Sequence, residues 1–427
     1  MNRNRFLQLL SLVLAGLLAR SSAAWAGPPP PAVDLETALQ LARDNSPLLD
    51  STRAGIEEAR GDLTTAEVFL VDDAYLQVGV GPRFGGPRGR PLQPQFQAMA
   101  RQRLEVAGQR GKRTRAAKDS LEAARSDNVD EARRLALSVA MAFFDAVAAE
   151  ERLQYATDNE RLVSQIEALA QRRVESGADS PTALYAAKIR TAEARRRTLA
   201  AEMDVTSARV ILTSVVGLPP GRPLTPNGSL PTPVVLPSIE DLVGAASTQR
   251  PDLVAASRRT RAAAHGETVA RAQRWPDMSL GAQYSFEEQD SVILGVVGFW
   301  LPSLNRSRGA RQKARATTRR RQADRVAAGL RAEAEIRTNA ARLRAATKAV
   351  AVYDASVLTA QNENLRLLRE QYGEGKVTYV EVVLLQRELL EAQLGYVQAR
   401  LDVAKAHAAV LSAAGRPLAS ASPRGEK

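Results

Sequence analysis

The side chains best able to hold a metal ion or act as nucleophiles are few and scattered. His265 and His407 are the only histidines and each stands alone on a helical stretch; cysteine is absent and methionine occurs five times. A soft-metal site needs thiolate, thioether or imidazole groups converging on one point, and this supply argues against one. The lack of cysteine also removes any disulfide framework. No nucleophile–base pair, phosphate-cradling loop or cluster of catalytic carboxylates stands out. The chain therefore reads as a protein without a cofactor and not as an enzyme.

A few other residues are placed suggestively. Thr378-x-x-Glu381 has the spacing of a capping box, in which the Glu381 carboxylate returns to the Thr378 backbone N–H. Gly177 and Gly375 stand where long helical patterns stop, and Ser180-Pro181 and Thr378 stand where the next ones start. Arg101 and Arg103 fall on the polar phase of an alternating segment. Trp275 and Trp300 flank a second such segment.

The elements that must position these residues come in duplicate. With a shift of about two hundred positions, Arg173-Val174-Glu175-Ser176-Gly177 falls on Gln371-Tyr372-Gly373-Glu374-Gly375, and Val216-Gly217-Leu218-Pro219 on Ala414-Gly415-Arg416-Pro417. A second register pairs Leu35-Glu36 and Pro47 with Ile239-Glu240 and Pro251. So long a period is a duplicated multi-element unit and no solenoid repeat. Residues 1–26 have a basic start, a short apolar run and Ala24-Trp25-Ala26, and read as a signal peptide. The first repeat is then 27–224, a linker 225–238, the second repeat 239–417, and 418–427 a disordered tail. The net charge of +12 would suggest nucleic acid in a cytosolic protein. The export segment argues against that, and arginines such as Arg195-Arg196-Arg197 beside Glu193 read as a solvated helix face.

In each repeat a long proline-free stretch rich in Ala, Leu, Arg and Glu predicts a helical hairpin. The descending arms cover 109–175 and 308–373, the returning arms 181–216 and 379–414. The first descending arm would be on the order of 100 Å long at 1.5 Å per residue. Small inner residues suit packed coiled coils. Before each descending arm the period changes to two, over 74–80 and 95–106 and again over 278–287, with a less clean 291–301; Gly81 to Pro94 forms the loop of the first pair. Ten-residue alternation with one apolar face marks an outer-membrane strand or, equally, a half-buried soluble hairpin. The export segment and the duplication favour the membrane. Four strands cannot seal a barrel in lipid, so several chains must share one. Arg101 and Arg103 would then line the lumen or sit at the membrane surface with their heads among the lipid headgroups. Trp275 and Trp300 read as membrane-interface aromatics.

Export segment, duplication, two strand hairpins and two long helical hairpins together resemble the outer-membrane efflux protein family, the TolC-like channels. Glu36-x-Ala38-Leu39 with Asn45-Ser46-Pro47 resembles the family's N-terminal helix pair. Gln102-Arg103-Leu104-Glu105-x-x-Gly108-x-x-Gly111-Lys112-Arg113 and Leu301-Pro302-Ser303-Leu304-Asn305-Arg306-x-x-Gly309 resemble the CzcC-like heavy-metal branch. The resemblance implies a mainly α fold, a coiled-coil barrel continuous with a transmembrane β-barrel of four strands per protomer and twelve per trimer. It implies an outer-membrane location in a Gram-negative bacterium with a long periplasmic extension. It also implies a homotrimer in contact with outer-membrane lipid, a periplasmic adaptor (membrane fusion protein) docked at the hairpin tips Gly177, Ser180, Gly375 and Thr378, an inner-membrane pump, commonly of the resistance-nodulation-division type, and no nucleic acid. The role implied is a passive gated conduit, with heavy-metal cations as one cargo. A pore-less periplasmic adaptor or scaffold is the alternative. The family's gate pattern places Tyr372, Gly375, Glu381 and Thr182 at the periplasmic constriction. Val377 and Leu384 depart from it, and Ala183 lacks the family's carboxylate. Three copies of Glu381 would form a ring attractive to cations, although the capping box alone also accounts for that residue.

Overall fold

The computed structural model describes residues 32–70, 72–83, 93–231, 237–287, 290–300, 307–353, 363, 366–367 and 370–418. The segment read as a signal peptide, residues 301–306 and residues 419–427 lie outside these. Eight helices are delimited among the described residues. They are α1 (Leu35–Asn45), α2 (Pro47–Glu67), α3 (Gln109–Glu175), α4 (Pro181–Val216), α5 (Ile239–Gln249), α6 (Pro251–Ala272), α7 (Arg308–Val352) and α8 (Tyr379–Ala413).

The 67-residue α3 runs unbroken to the hairpin tip. The second descending arm does not match it. Its helix ends at Val352, and among the described residues beyond Tyr353 the chain is helical at 363, 366–367 and 370–373. β-Branched Val350 and Val352 weaken the last turn. Tyr353 then turns aside, its ring 6.0 Å from Tyr396. Its hydroxyl rests on Gly395, where an added Cβ would lie 2.5 Å away.

Each returning helix is continued end to end by a shorter one from earlier in its own repeat. The end of α4 abuts the start of α2, and the end of α8 abuts the start of α6. Glycine makes both joints. Gly217 has φ +87° and a Cβ there would sit 2.5 Å from the Asn45 carbonyl oxygen; Gly415 has φ +74° and faces the Arg250 backbone at 3.3 Å. The four hairpin arms, ending before Gly177, Gly217, Gly375 and Gly415, carry the same pair of backbone bonds, as in Ala178 N–H to Arg173 C=O and Gly177 N–H to Val174 C=O.

The two joints differ in chemistry. The first is apolar, with Leu212 and Val216 buried against Leu49 and Val139. The second holds Arg250, which makes two 2.9 Å hydrogen bonds to Asp252, reaches Glu335 at 2.8 Å and donates to the Ala413 carbonyl. Arg133 donates to the Ser412 carbonyl beside it. Burial alone would lower the Arg250 pKa, but the two carboxylates outweigh it and raise it. Removing one partner of such a pair costs about 3 kcal/mol. Arg250→Ala is therefore expected to lower the melting temperature of the assembled protein clearly, and Ser46→Ala at the equivalent site of the first joint should not.

The helices form one layer. The α2–α4 column lies on one side of α3 and the α6–α8 column on the other, and α7 closes the far edge. α1 packs on the middle of α3 through Ala38, Leu39 and Ala42. α5 packs on α7 through Leu242 and Ala246. The segment read as a linker begins as a packed strap. Strand β4 (Thr225–Pro226) pairs parallel with β1 (Ala32–Val33), Asn227 N–H reaches the Val33 carbonyl at 2.7 Å, and Leu230 is buried. Leu418, read as tail, packs against the same core. Both corrections arise because single apolar residues in Pro-rich sequence found a preformed groove that no periodicity announces.

The remaining strands, β2 (Tyr75–Arg83), β3 (Gln93–Leu104), β5 (Asp277–Glu287) and β6 (Asp290–Trp300), form a four-stranded antiparallel sheet in the order β2-β3-β5-β6. The first hairpin loop is shorter than the sequence suggested, because Pro82 pairs with Pro94 and Arg83 with Gln93. Pro94 lies beyond the end of the β3–β5 ladder, where its missing N–H is tolerated. Strands of 9 to 12 residues meet the roughly 9–11 residues a tilted membrane strand needs. Among the described residues no helix is long and apolar enough to cross a membrane.

Candidate functional site

Two features could carry function: the convergence of the hairpin tips and the two faces of the sheet. At the first tip, Ser180 caps α4 with Pro181 behind it, and the Ser180 and Thr182 hydroxyls are 2.8 Å apart. At the second, the capping box is complete: the Glu381 carboxylate accepts from the Thr378 N–H at 2.7 Å and from its hydroxyl at 3.0 Å. Those bonds hold Glu381 below the usual carboxylate pKa. The side chain is exposed, flanked by exposed Val380 and Leu384.

The tips are joined by a latch across the two repeats. Tyr372, only 1% exposed, packs among Ile166, Ala170, Ala187 and Val382. Its hydroxyl donates to Asp179 Oδ2 at 2.9 Å. Arg173 donates to the same oxygen at 2.9 Å and lies 5.3 Å above the Tyr372 ring. Gly375, at φ +76°, leaves room for that guanidinium; a Cβ would stand 3.0 Å from it. The hydrogen bond from Arg173, with the one from Tyr372, draws Asp179 below the carboxylate range. Burial, reinforced by Asp179, pushes the Tyr372 hydroxyl up. Neither Asp179 nor Arg173 was singled out in the sequence. Ala183 suggested a missing carboxylate; Asp179, four residues earlier in the turn, supplies one to Tyr372.

The register assigns every strand residue to a face. One face is Leu76, Val78 and Val80, then Phe96, Ala98, Ala100 and Leu104, then Met278, Leu280, Ala282, Tyr284 and Phe286, then Ile293, Val297 and Phe299. The other carries Gln77, Gln95, Gln97, Gln283, Ser279 and Ser285 with Arg101 and Arg103, and β6 contributes Val292, Leu294 and Val296. Arg103 is held at the helix-proximal end by Asp277 at 2.6 Å and Asp72 at 3.2 Å. Gln109 donates to the other Asp277 oxygen at 2.8 Å. Arg101 lies 5.6 Å over the Tyr75 ring. Trp275 is exposed beside Arg274, whose guanidinium lies 5.6 Å over it. The Trp300 backbone pairs with Asp277, and its side chain lies outside the described residues.

His265 Nε2 lies 3.6 Å from Asp119. His407 is half-buried, and burial holds its pKa below 6.5. A depressed imidazole contributes stability that is present above the unfolded value and lost as pH falls through the folded one. His407→Gln should therefore flatten the acid-side decline in melting temperature between about pH 7 and pH 5. Among the described residues no group of three or more His, Asp or Glu side chains could hold a metal ion.

The family described as "Outer membrane efflux protein" matches residues 38–218 and 242–416. The chain is 26% identical over 374 residues to the cobalt-zinc-cadmium resistance protein CzcC of Cupriavidus metallidurans, covering 85% of each chain. Its fold is similar to the crystal structure of CusC, with a TM-score of 0.77 at 17% identity, covering 92% of this chain and 96% of that one. It is also similar to the outer membrane protein VceC of Vibrio cholerae, with a TM-score of 0.70 at 19% identity, covering 90% and 96%.

Proposed function

The chain belongs to the outer membrane efflux protein family, and on that premise we propose that three copies close one barrel through which divalent metal cations leave the cell. The observation that carries this reading is the sheet with one apolar face, one polar face and two open edges, β2 and β6. In lipid, unpaired edge N–H and C=O groups are not tolerated. Three copies of a four-stranded sheet make twelve strands and an interior wide enough for solutes. The apolar face meets lipid, and Arg101, Arg103 and the glutamines line the lumen. The membrane-interface aromatics are Trp275 and Trp300. The protein is the outer-membrane channel of a tripartite efflux system; an adaptor docks at the tips Gly177, Ser180, Gly375 and Thr378, and an inner-membrane pump supplies the energy. The chain itself catalyses nothing. Metal cargo is supported by the likeness to CzcC, named for cobalt, zinc and cadmium resistance.

The helical layer supports the same closure. Its edges are the α2–α4 column and α7. In a ring of six equivalent hairpins, α7 meets the next copy's α2 as α3 meets α6 within one chain. Gln109 and Arg308 begin the equivalent long helices, and Pro47 and Pro251 the equivalent short ones. The Asp127–Arg259 contact then becomes Val326 opposite Gly55 of the next copy. Val326 and Leu330 are about two-thirds exposed in the single chain, and nothing stands within 4 Å of a Cβ at Gly55. Because the chain has no cysteine, Gly55→Cys with Val326→Cys and a short bis-maleimide should yield a covalent trimer on a denaturing gel. Each single variant should run as monomer. A double variant that never exceeds monomer, or a protein that dissolves without detergent, sinks the shared barrel.

Tyr372, Gly375, Thr182 and Glu381 form the periplasmic gate, supported by the latch that ties Tyr372 to the first tip. Three Glu381 side chains around the axis attract cations at close range. Glu381→Ala should raise single-channel conductance and weaken block by multivalent cations; unchanged block would leave Glu381 a helix cap and nothing more.

A further inference from the structure

We propose that the junction between helices and strands binds the headgroups of anionic phospholipids, at two places in each protomer. The observations are a vertical order of side chains and a repeated pair. The apolar face ends toward the helices at Leu104, Met278 and Phe299. Gln102 stands on that face near its rim and donates to the Asp72 carbonyl at 2.7 Å, which marks where hydrocarbon gives way to polar surroundings. Just below, each repeat exposes a large aromatic between its short helix and its first strand. Phe69 is 67% exposed and Trp275 57% exposed. Each carries an arginine on its ring: Arg110 at 5.7 Å over Phe69 and Arg274 at 5.6 Å over Trp275. The two halves of the chain share no sequence at these points, yet each places an aromatic–guanidinium pair between its short helix and its first strand.

The surrounding charge is positive on balance. Residues 67–76, 105–119, 267–277 and 307–315 hold eleven Lys and Arg and seven acids. Glu105 and Glu267 are already paired, with Arg113 and Arg271, and Asp72 and Asp277 with Arg103. A ring that lies at the hydrocarbon edge with a flat cation stacked on it offers acyl chain contact on one side and a fork of N–H donors to a phosphodiester on the other. The occupant that fits is a phospholipid of the periplasmic leaflet whose headgroup carries net negative charge; a zwitterionic headgroup would set its own ammonium against the basic belt. Juxtamembrane basic residues favour anionic over neutral lipid by about fivefold each.

This inference rests on the lipid-facing reading of the apolar face. The test uses the full-length trimer in detergent, stripped of lipid and titrated with phosphatidylglycerol, phosphatidylcholine or inorganic phosphate while bound mass is read by native mass spectrometry and melting is followed in parallel. Phosphatidylglycerol should be retained at least about fivefold more strongly than phosphatidylcholine and should raise the melting temperature more. Arg110→Gln with Arg274→Gln should cut that preference by at least about fivefold, and Arg110→Gln with Arg274→Lys, which keeps one charge but loses the flat fork, should restore part of it. Equal retention of the two lipids by the native trimer, or an unchanged preference in the double Gln variant, overturns the proposal, as does inorganic phosphate producing the whole stabilisation. A protein that is monomeric and needs no detergent would instead defeat the lipid-facing reading itself.

Discussion

Asp179→Ala should leave the trimer assembled and raise its resting conductance in planar bilayers, because it removes the acceptor that joins the two hairpin tips. Tyr372 and Arg173 share one oxygen of that carboxylate. A hydrogen bond to a charged group contributes about 1.5–3 kcal/mol, so each lost Tyr372–Asp179 bond should shift the closed-to-open ratio by about tenfold or more. Tyr372→Phe, which keeps the packed ring and loses only the hydroxyl, should show a smaller rise in the same direction. The pH dependence follows from the shifts. A carboxylate held below its ordinary value contributes stability that is present above the unfolded pKa and lost as pH falls through the folded one; the Tyr372 hydroxyl, pushed up, keeps its proton past the ordinary tyrosine range. The latch should therefore hold from about pH 4 to about pH 10, and its contribution to conductance should not change within that window. Native conductance retained by Asp179→Ala trimers would show that the tips are held by packing alone.

Gly217→Ala should abolish the heat-resistant trimer. The residue is held at φ +87°, and the new methyl would stand 2.5 Å from the Asn45 carbonyl oxygen and 2.9 Å from its carbon. The left-handed backbone alone costs a non-glycine residue about 1–2 kcal/mol. The clash is with backbone at the junction of α1 and α2, so relief requires unstacking α4 from α2 and with it the apolar joint around Leu212 and Val216. Gly415→Ala should be milder, since its nearest contacts, on the Arg250 backbone, are 3.3 Å away. Gly221→Ala, in open space, should be neutral. Trimer retained on an unboiled gel by Gly217→Ala would mean that the two columns are not held end to end through this glycine.

The architecture is legible in local pattern along the chain. Duplication, the helix-to-strand change of period, glycine at the end of each hairpin arm and Thr378-x-x-Glu381 are written within a few residues of where they act, because helix and strand periodicity and cap chemistry are local. The two sheet faces follow from the same alternation once the register is known, and the place of Arg101 and Arg103 on the polar face was legible without coordinates. Which side chains meet across the supercoil is settled by packing and is not written locally. Asp179 and Tyr372 are 193 positions apart, and nothing in the turn Gly177-Ala178-Asp179-Ser180 distinguishes a latch carboxylate from an ordinary turn residue. The interruption of α7 depends on Gly395 leaving a seat for Tyr353 on a different helix. The burial of Arg250 depends on Glu335, from α7, arriving beside Asp252. Such contacts are set by where a residue lands after dozens of helical turns have packed, and a small change in that register moves a side chain to another neighbour, so local pattern carries no trace of them.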